Sequence, residues 1–431
     1  MKIDPFNNFL AAQFRRFPDA RGSNQSIRAK DALMSGYAVF SLKYPSLLQY
    51  DGDRAAVEDN LRTIYKVDKA PSDTALRAIL DEMPVEEMGG VFKEAAKKMR
   101  QAGIFRSYAY LDGHIVASMD GVHFYSSEKV CCGQCLEYRK KNGKAEYRHS
   151  LLSAVVVHPD KQVVLPIAHE PIAKQDGREK NDCERNAASR LLPQLRQALP
   201  VEKVIVAEDA LGANAPHIRE LRKHGFRFVI GVKPDGHKHL FKQSVELAGR
   251  GACYEHRQED ERYIHEFRYA NSLELNAENP ELKVNFLEYR QTDKEGKEPE
   301  RRFSWITDFQ LNKRSVYKIM RIGRSRWKIE NETFNTLKNQ GYNFGHNYGH
   351  GKKNLCAMLA LLMMLAFLAD QLQQGWDEMF QAAWQRCKSK AVLWQKMRQK
   401  FDEYAVPSME TIYGMIIGKL KVRYQIIEWS G

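Results

Sequence analysis

The chain contains no Walker A sequence, no Rossmann glycine pattern and no Gly-x-Ser-x-Gly. Those absences remove P-loop nucleotide hydrolysis, dinucleotide-dependent redox chemistry and hydrolysis at a nucleophile elbow. Its most apolar run, Leu355 to Ala369, is 15 residues. A membrane-spanning helix needs roughly 20, so a buried core helix is expected there and no membrane partner. The opening residues Met1-Lys2-Ile3-Asp4-Pro5-Phe6 carry no contiguous apolar segment of the signal-peptide kind. With seven cysteines in so long a chain, this predicts a cytoplasmic protein with reduced thiols. There is no second Cys-x-x-Cys beside Cys132-Gly133-Gln134-Cys135, no internal repeat and no low-complexity stretch.

What is plentiful is positive charge. The 431 residues include 67 Lys plus Arg against 54 Asp plus Glu, a formal charge of +13. Such a balance favours polyanionic partners, nucleic acid first among them. The length suggests two or three domains.

Against that basic background three carboxylates stand out. Asp120 follows the apolar run Ile115-Val116-Ala117-Ser118-Met119, and Asp209 follows Val204-Ile205-Val206-Ala207-Glu208. Both runs read as short buried strands ending on a carboxylate. Glu330 lies in Arg326-Trp327-Lys328-Ile329-Glu330, within a helical stretch. Two strand-end carboxylates and one on a helix suit a pair of Mg²⁺ ions, which prefer oxygen ligands and keep waters. Two such ions about 3.5–4 Å apart stabilise the attacking and leaving oxygens of an in-line phosphoryl displacement. Glu208 should face away from Asp209 across the strand, and Glu332 lies on a different helix face from Glu330.

Around these residues the pattern changes along the chain. Residues 1–105 read as a helical region that binds DNA. Possible helices near Leu61–Tyr65 and after Ser72-Asp73 allow helix-turn-helix geometry or a plain bundle segment. Residues 106–234 alternate strands and helices, the first part of an RNase H-like core. They include strands at 149–157 and 163–168 and a helix at 182–199 that Pro193 is expected to kink or shorten. Residues 235–312 read as a β-rich insertion, 313–373 as the second part of the core with the Glu330 helix, and 374–431 as a helical C-terminal region. The predicted fold class is therefore α/β, a mixed sheet flanked by helices with a mainly β insertion.

The order of these motifs resembles the DDE transposases of bacterial insertion sequences, in the subgroup with a β-strand insertion and a Tyr-Arg-Glu-Lys signature. The resemblance covers about 112–365. Met119-Asp120-Gly121, Glu208-Asp209-Ala210 and Arg326-Trp327-Lys328-Ile329-Glu330 match its three acidic motifs. Two positions depart. The signature's Tyr falls on Gly323, with Tyr317 a substitute, and its Lys falls on Leu337, with Lys338 one residue later.

The resemblance implies catalytic and metal-binding roles for Asp120, Asp209 and Glu330, with two Mg²⁺ ions that Mn²⁺ can replace. It implies a homodimer on double-stranded DNA, acting on element terminal repeats and target DNA. The expected activity is cleavage of the element ends and transfer of the freed 3′-OH. Alternatives are a metal-dependent nuclease without strand transfer and an inactive, transposase-derived DNA-binding protein. Arg326 and Lys338 are expected at DNA phosphates, as is Lys233 in Gly231-Val232-Lys233-Pro234. Trp327 is expected either packed against the sheet or stacked on an extruded base.

Three further features are read from residue type alone. Asp182 and Glu184 read as a helix N-terminal cap. Cys132, Cys135 and His149 read either as a reduced-thiol hairpin or, completed by His123 or Cys131, as a zinc site. The Gly-, Tyr- and His-rich stretch 341–353 is either a connector or a loop that wraps a DNA strand.

Overall fold

A computed structural model describes residues 2–19, 21–22, 25–174 and 183–421. The chain divides into two compact units. One comprises Phe92–Val122 and Ser150–Thr333; the other comprises Met1–Val91, His123–His149 and Phe334–Gly431. Ten strands are present among the described residues. They are β1 (Ile115–Ser127), β2 (Leu136–Arg139), β3 (Ala145–His158), β4 (Lys161–Ile172), β5 (Val204–Glu208), β6 (Arg227–Gly231), β7 (Tyr254–Glu259), β8 (Tyr263–Glu274), β9 (Lys283–Asp293) and β10 (Arg301–Thr307).

The first unit is built on β5. All five of its residues are buried, as an apolar strand covered on both faces requires. It pairs in parallel with β1 on one side and β6 on the other. Neighbours run β3-β1-β5-β6, with β4 paired antiparallel to β3. The helix Ala215–Lys223 connects β5 to β6, its first turn capped by the Asn214 side chain. The helix Glu184–Ala198 buries Ala187, Ala188, Leu191, Leu192 and Leu195 and packs on β4. This is an RNase H-like mixed sheet flanked by helices.

Pro193 lies inside that helix without breaking it. The carbonyl it leaves without a donor belongs to Ser189, which is exposed, so water can satisfy it. Asp182 lies outside the described residues.

The insertion after β6 opens with a helix, Lys238–Gly249, and then forms β7 to β10 in antiparallel pairs. β10 returns to pair antiparallel with β6 (Ile306↔Ile230), so the insertion prolongs the core sheet.

The second unit is mainly helical. The helix Ala29–Ser41 is buried at all 13 positions and packs on the 22-residue helix Leu355–Trp376. Gly36 permits that approach, since a Cβ there would come within 2.8 Å of Leu362 Cδ1. Leu355–Trp376 is long and apolar enough to cross a membrane, but 94% of its most apolar window is buried inside the protein. It extends past the apolar run that marked it in the sequence and serves as a core helix.

Its N-terminus is capped from a distance. Asp81 accepts the backbone N–H groups of Lys352, Lys353, Asn354 and Leu355 at 2.8–3.0 Å. Asp81 ends the helix Asp73–Asp81, which Ser72 caps at its start. Within that helix Arg77 pairs with Asp73, and Leu76, Ile79 and Leu80 are buried. Its polar side thus contributes to holding the bundle together.

Candidate active site

The parallel register places the two aspartates at the same level. The last paired level of β1 and β5 is Ser118↔Ala207, so Asp120 and Asp209 each lie two residues beyond it on adjacent strands. Neighbouring strands run about 4.7–4.9 Å apart. β1 does not end at Asp120 as expected; it continues to Ser127 with β3 as its other neighbour. Asp120 thus marks the end of the parallel pairing with β5, not the end of the strand. Asp209 does follow its strand directly, and its Oδ1 accepts the Leu211 N–H at 2.9 Å.

Glu330 approaches Asp120 through Arg326. The Arg326 guanidinium donates to Glu330 Oε1 at 2.6 Å and reaches Asp120 Oδ2 at 3.4 Å. Ser118 Oγ donates to the Arg326 carbonyl at 3.1 Å, which ties this helical segment to β1. Lys328 adds a second tie, its ammonium donating to the carbonyls of His158, Pro159 and Lys161. The helix Val316–Ser325 ends before Trp327, and residues Ile329–Asn335 wind as a π turn that carries Glu330. Single π turns recur at functional sites.

A fourth carboxylate belongs to this group. Glu184, the first residue of its helix, lies over Gly121 so closely that a Cβ there would come within 2.6 Å of Glu184 Cδ. Burial raises the Glu184 carboxyl above its ordinary value, and the charges of Asp209 and Glu208 push the same way. Burial likewise raises Asp120 to about 7; Arg326 opposes the rise, while Glu330 and Glu184 add to it. The cause is shared: several carboxylates in a partly desolvated place with too little positive charge. Hard oxygen donors of this kind fit Mg²⁺ or Mn²⁺, with Asp120, Asp209 and Glu330 as candidate ligands and Glu184 beside them. In the sequence, Glu184 was visible only as a helix-start acid.

The neighbouring acids are engaged elsewhere. Glu208 is buried against His217, whose Nε2 lies 2.6 Å from Glu208 Oε2. Burial works against a charged His217, yet Glu208 holds the imidazole above its ordinary value.

The basic and aromatic residues marked in the sequence are dispersed. Lys233 is exposed just beyond β6, at the same sheet edge as Asp209. Trp327 is half-exposed at 50% rather than packed against the sheet, because the helix ends two residues before it. It borders a groove of about 330 Å³ together with Tyr263, Tyr317, Arg301, Arg321 and Arg324. Tyr317 stands edge-on to His265, ring centroids 5.6 Å apart. Gly323 packs against the Trp305 indole, and a Cβ there would lie 2.5 Å from Cε2 and nearer still to Nε1. That contact leaves no room for a side chain at this position. In the other unit Leu337 is fully buried, while Lys338 is exposed beside Pro45, Asn343 and His346.

Comparison with curated proteins finds no match. The family model described as Transposase DDE domain matches residues 126–368, a span that holds Asp209, Arg326, Glu330 and Lys338 and begins just after Asp120. That family acts on DNA with divalent metal ions. The match covers more than half of the 431 residues and falls on an RNase H-like sheet, so this chain belongs to the transposase DDE domain family.

Proposed function

We propose that this chain is a DNA transposase that cleaves the ends of an insertion element and joins the freed 3′-OH to target DNA. The observation that supports it most is the level placement of Asp120 and Asp209 beyond the β1–β5 pairing, with Arg326 linking Asp120 to Glu330. Asp120, Asp209 and Glu330 would hold two Mg²⁺ ions, which supply charge to the attacking and leaving oxygens of each displacement.

The chain's own groups do the rest. Arg326 balances the carboxylates before DNA arrives, and its forked guanidinium matches a phosphate once those charges are neutralised otherwise. Lys233 and Lys338 offer point charges to the DNA backbone. Trp327, exposed beside a groove lined by arginines, would stack on a base displaced from the duplex. In the first step water breaks the phosphodiester at the element boundary, leaving a 3′-OH and a 5′-phosphate. In the second, that hydroxyl attacks a target phosphodiester and releases a new 3′-OH, so the number of phosphodiester bonds is conserved.

The protein acts in the cytoplasm as a dimer on the element's terminal repeats, with residues 1–105 as the DNA-binding region. The test is cleavage of the element's own flanked terminal repeat with Mg²⁺, Mn²⁺ or Ca²⁺, beside Asp120→Ala, Asp209→Ala and Glu330→Ala. Metal-dependent 3′-OH ends at the boundary, lost in all three variants while DNA binding persists, support the reading. Cutting without strand transfer would make the chain a nuclease. Binding without cutting under every metal would make it an inactive DNA-binding descendant.

A further inference from the structure

A second cluster of donors lies in the helical unit, chemically unlike the carboxylates. Cys132 and Cys135 sit in the turn between β1 and β2, His149 ends that unit's share of β3, and His350 comes from the loop 341–353. Their four donor atoms all lie within 4.8 Å of one another. The Sγ atoms are 3.8 Å apart. Cys132 Sγ is 3.5 Å from His149 Nε2, and Cys135 Sγ is 3.3 and 3.2 Å from His149 and His350 Nε2. The two Nε2 atoms are 3.2 Å apart.

A tetrahedral ion with Zn–S of about 2.3 Å and Zn–N of about 2.0–2.1 Å requires edges of about 3.8 Å (S–S), about 3.5 Å (S–N) and about 3.3 Å (N–N). The five edges given above match such a tetrahedron. A disulfide is excluded as their cause, since its sulfurs would lie about 2.0 Å apart. Hydrogen bonding alone is a poor account too. Two imidazole Nε2 atoms meeting head-on share at most one proton, and two thiols cannot satisfy the rest.

The surroundings match a closed structural site. Cys135, His149 and His350 are buried. His350 Nδ1 donates to the Gly351 carbonyl at 2.9 Å, which leaves the Nε2 lone pair directed inward. The Cys132 backbone N–H points to Cys135 Sγ at 3.4 Å. The Tyr125 ring covers His350 at 4.6 Å between centroids. Four protein donors leave no open position, and an S₂N₂ set selects zinc over Mg²⁺.

We propose that Cys132, Cys135, His149 and His350 bind one structural Zn²⁺ that fastens the loop 341–353 to the β1–β2 turn. His350 lies 215 residues beyond Cys135, so the ion would close a long-range link. Asp81 holds the same loop on its other side, through the N–H groups of residues 352–355. The site is separate from the carboxylates and does not depend on their role.

The test is elemental analysis of the full chain, purified without added metal and dialysed into Mg²⁺ buffer. One zinc per chain is expected, retained in Asp120→Ala and lost in Cys135→Ser and His350→Ala. Protein loaded with Co²⁺ should show thiolate-to-metal charge transfer and the strong visible bands of tetrahedral cobalt. If the variants fail to fold, zinc content and the cobalt spectrum of the unaltered chain decide. Metal-free protein whose Cys132 and Cys135 react as ordinary free thiols would overturn the proposal. So would zinc that persists in Cys135→Ser but disappears in Asp120→Ala.

Discussion

Replacing Gly323 by alanine should destabilise the protein, although the general rule for a helix points the other way. Glycine to alanine in a helix interior usually gains about 0.8–1.0 kcal/mol, through backbone entropy and helix propensity. Here the new methyl would stand 2.5 Å from Trp305 Cε2 and 2.8 Å from Cδ1, well inside van der Waals contact. The indole cannot retreat freely. Trp305 is 5% exposed and stacks on Phe303 at 5.7 Å, with Tyr289 at 6.3 Å. Overfilling a packed site of this kind costs about 1–3 kcal/mol. At the middle of that range the larger effect wins, and a net loss of about 1 kcal/mol remains, or a Tm lower by about 2–4 °C for a unit of this size. Thermal and urea unfolding of Gly323→Ala measure it directly. Adding Trp305→Phe, which removes the atoms in the way, should return the helix gain. A single variant as stable as the parent, or more so, would refute the packing argument.

Glu184→Gln should weaken metal-dependent cleavage by about 10–100-fold, as loss of a supporting ligand does, and should raise the Mg²⁺ concentration needed for half-maximal rate. An unchanged metal titration would remove Glu184 from the site. Lys43, fully buried with Asp370 at 2.6 Å and flanked by the rings of Tyr342 and Trp394, holds an internal charge pair. Lys43→Met should cost about 3–5 kcal/mol in urea unfolding, because Asp370 is left buried without its partner; the double variant with Asp370→Asn should recover part of it. Burial lowers the His169 imidazole to about 3. An unfolded histidine titrates near about 6.5, so below that pH the unfolded state binds the extra proton and stability falls. From pH 7.5 to 5.5 this group should remove about 1.4 kcal/mol, and His169→Leu should flatten that part of the profile. Parallel profiles for parent and variant would contradict it.

Much of the site was readable because its residues sit where local pattern is strong. An apolar run followed by a carboxylate marks Asp209, and the Arg326 to Glu330 spacing marks one helical turn. What local pattern does not carry is pairing across the chain. The continuation of β1 past Asp120 follows the sheet, in which β3 is its second neighbour. Glu184 reaches the site from a helix start over Gly121, a contact no spacing rule supplies. His350 completes the cysteine cluster from 201 residues beyond His149, whereas the nearer His123 and Cys131 do not. The exposure of Trp327 depends on where a helix stops, and boundaries are the least legible feature of a sequence.

The pairing of β10 with β6 has a mechanical consequence. Because the insertion continues the core sheet strand by strand, out to the charged and exposed edge of β7, it cannot swing like a separately tethered arm. A force applied to the insertion passes through a continuous hydrogen-bonded ladder to β5, the strand that Asp209 follows. The insertion and the aspartate therefore keep a fixed spacing, and a ligand that touched both would have to adapt its own shape to that distance.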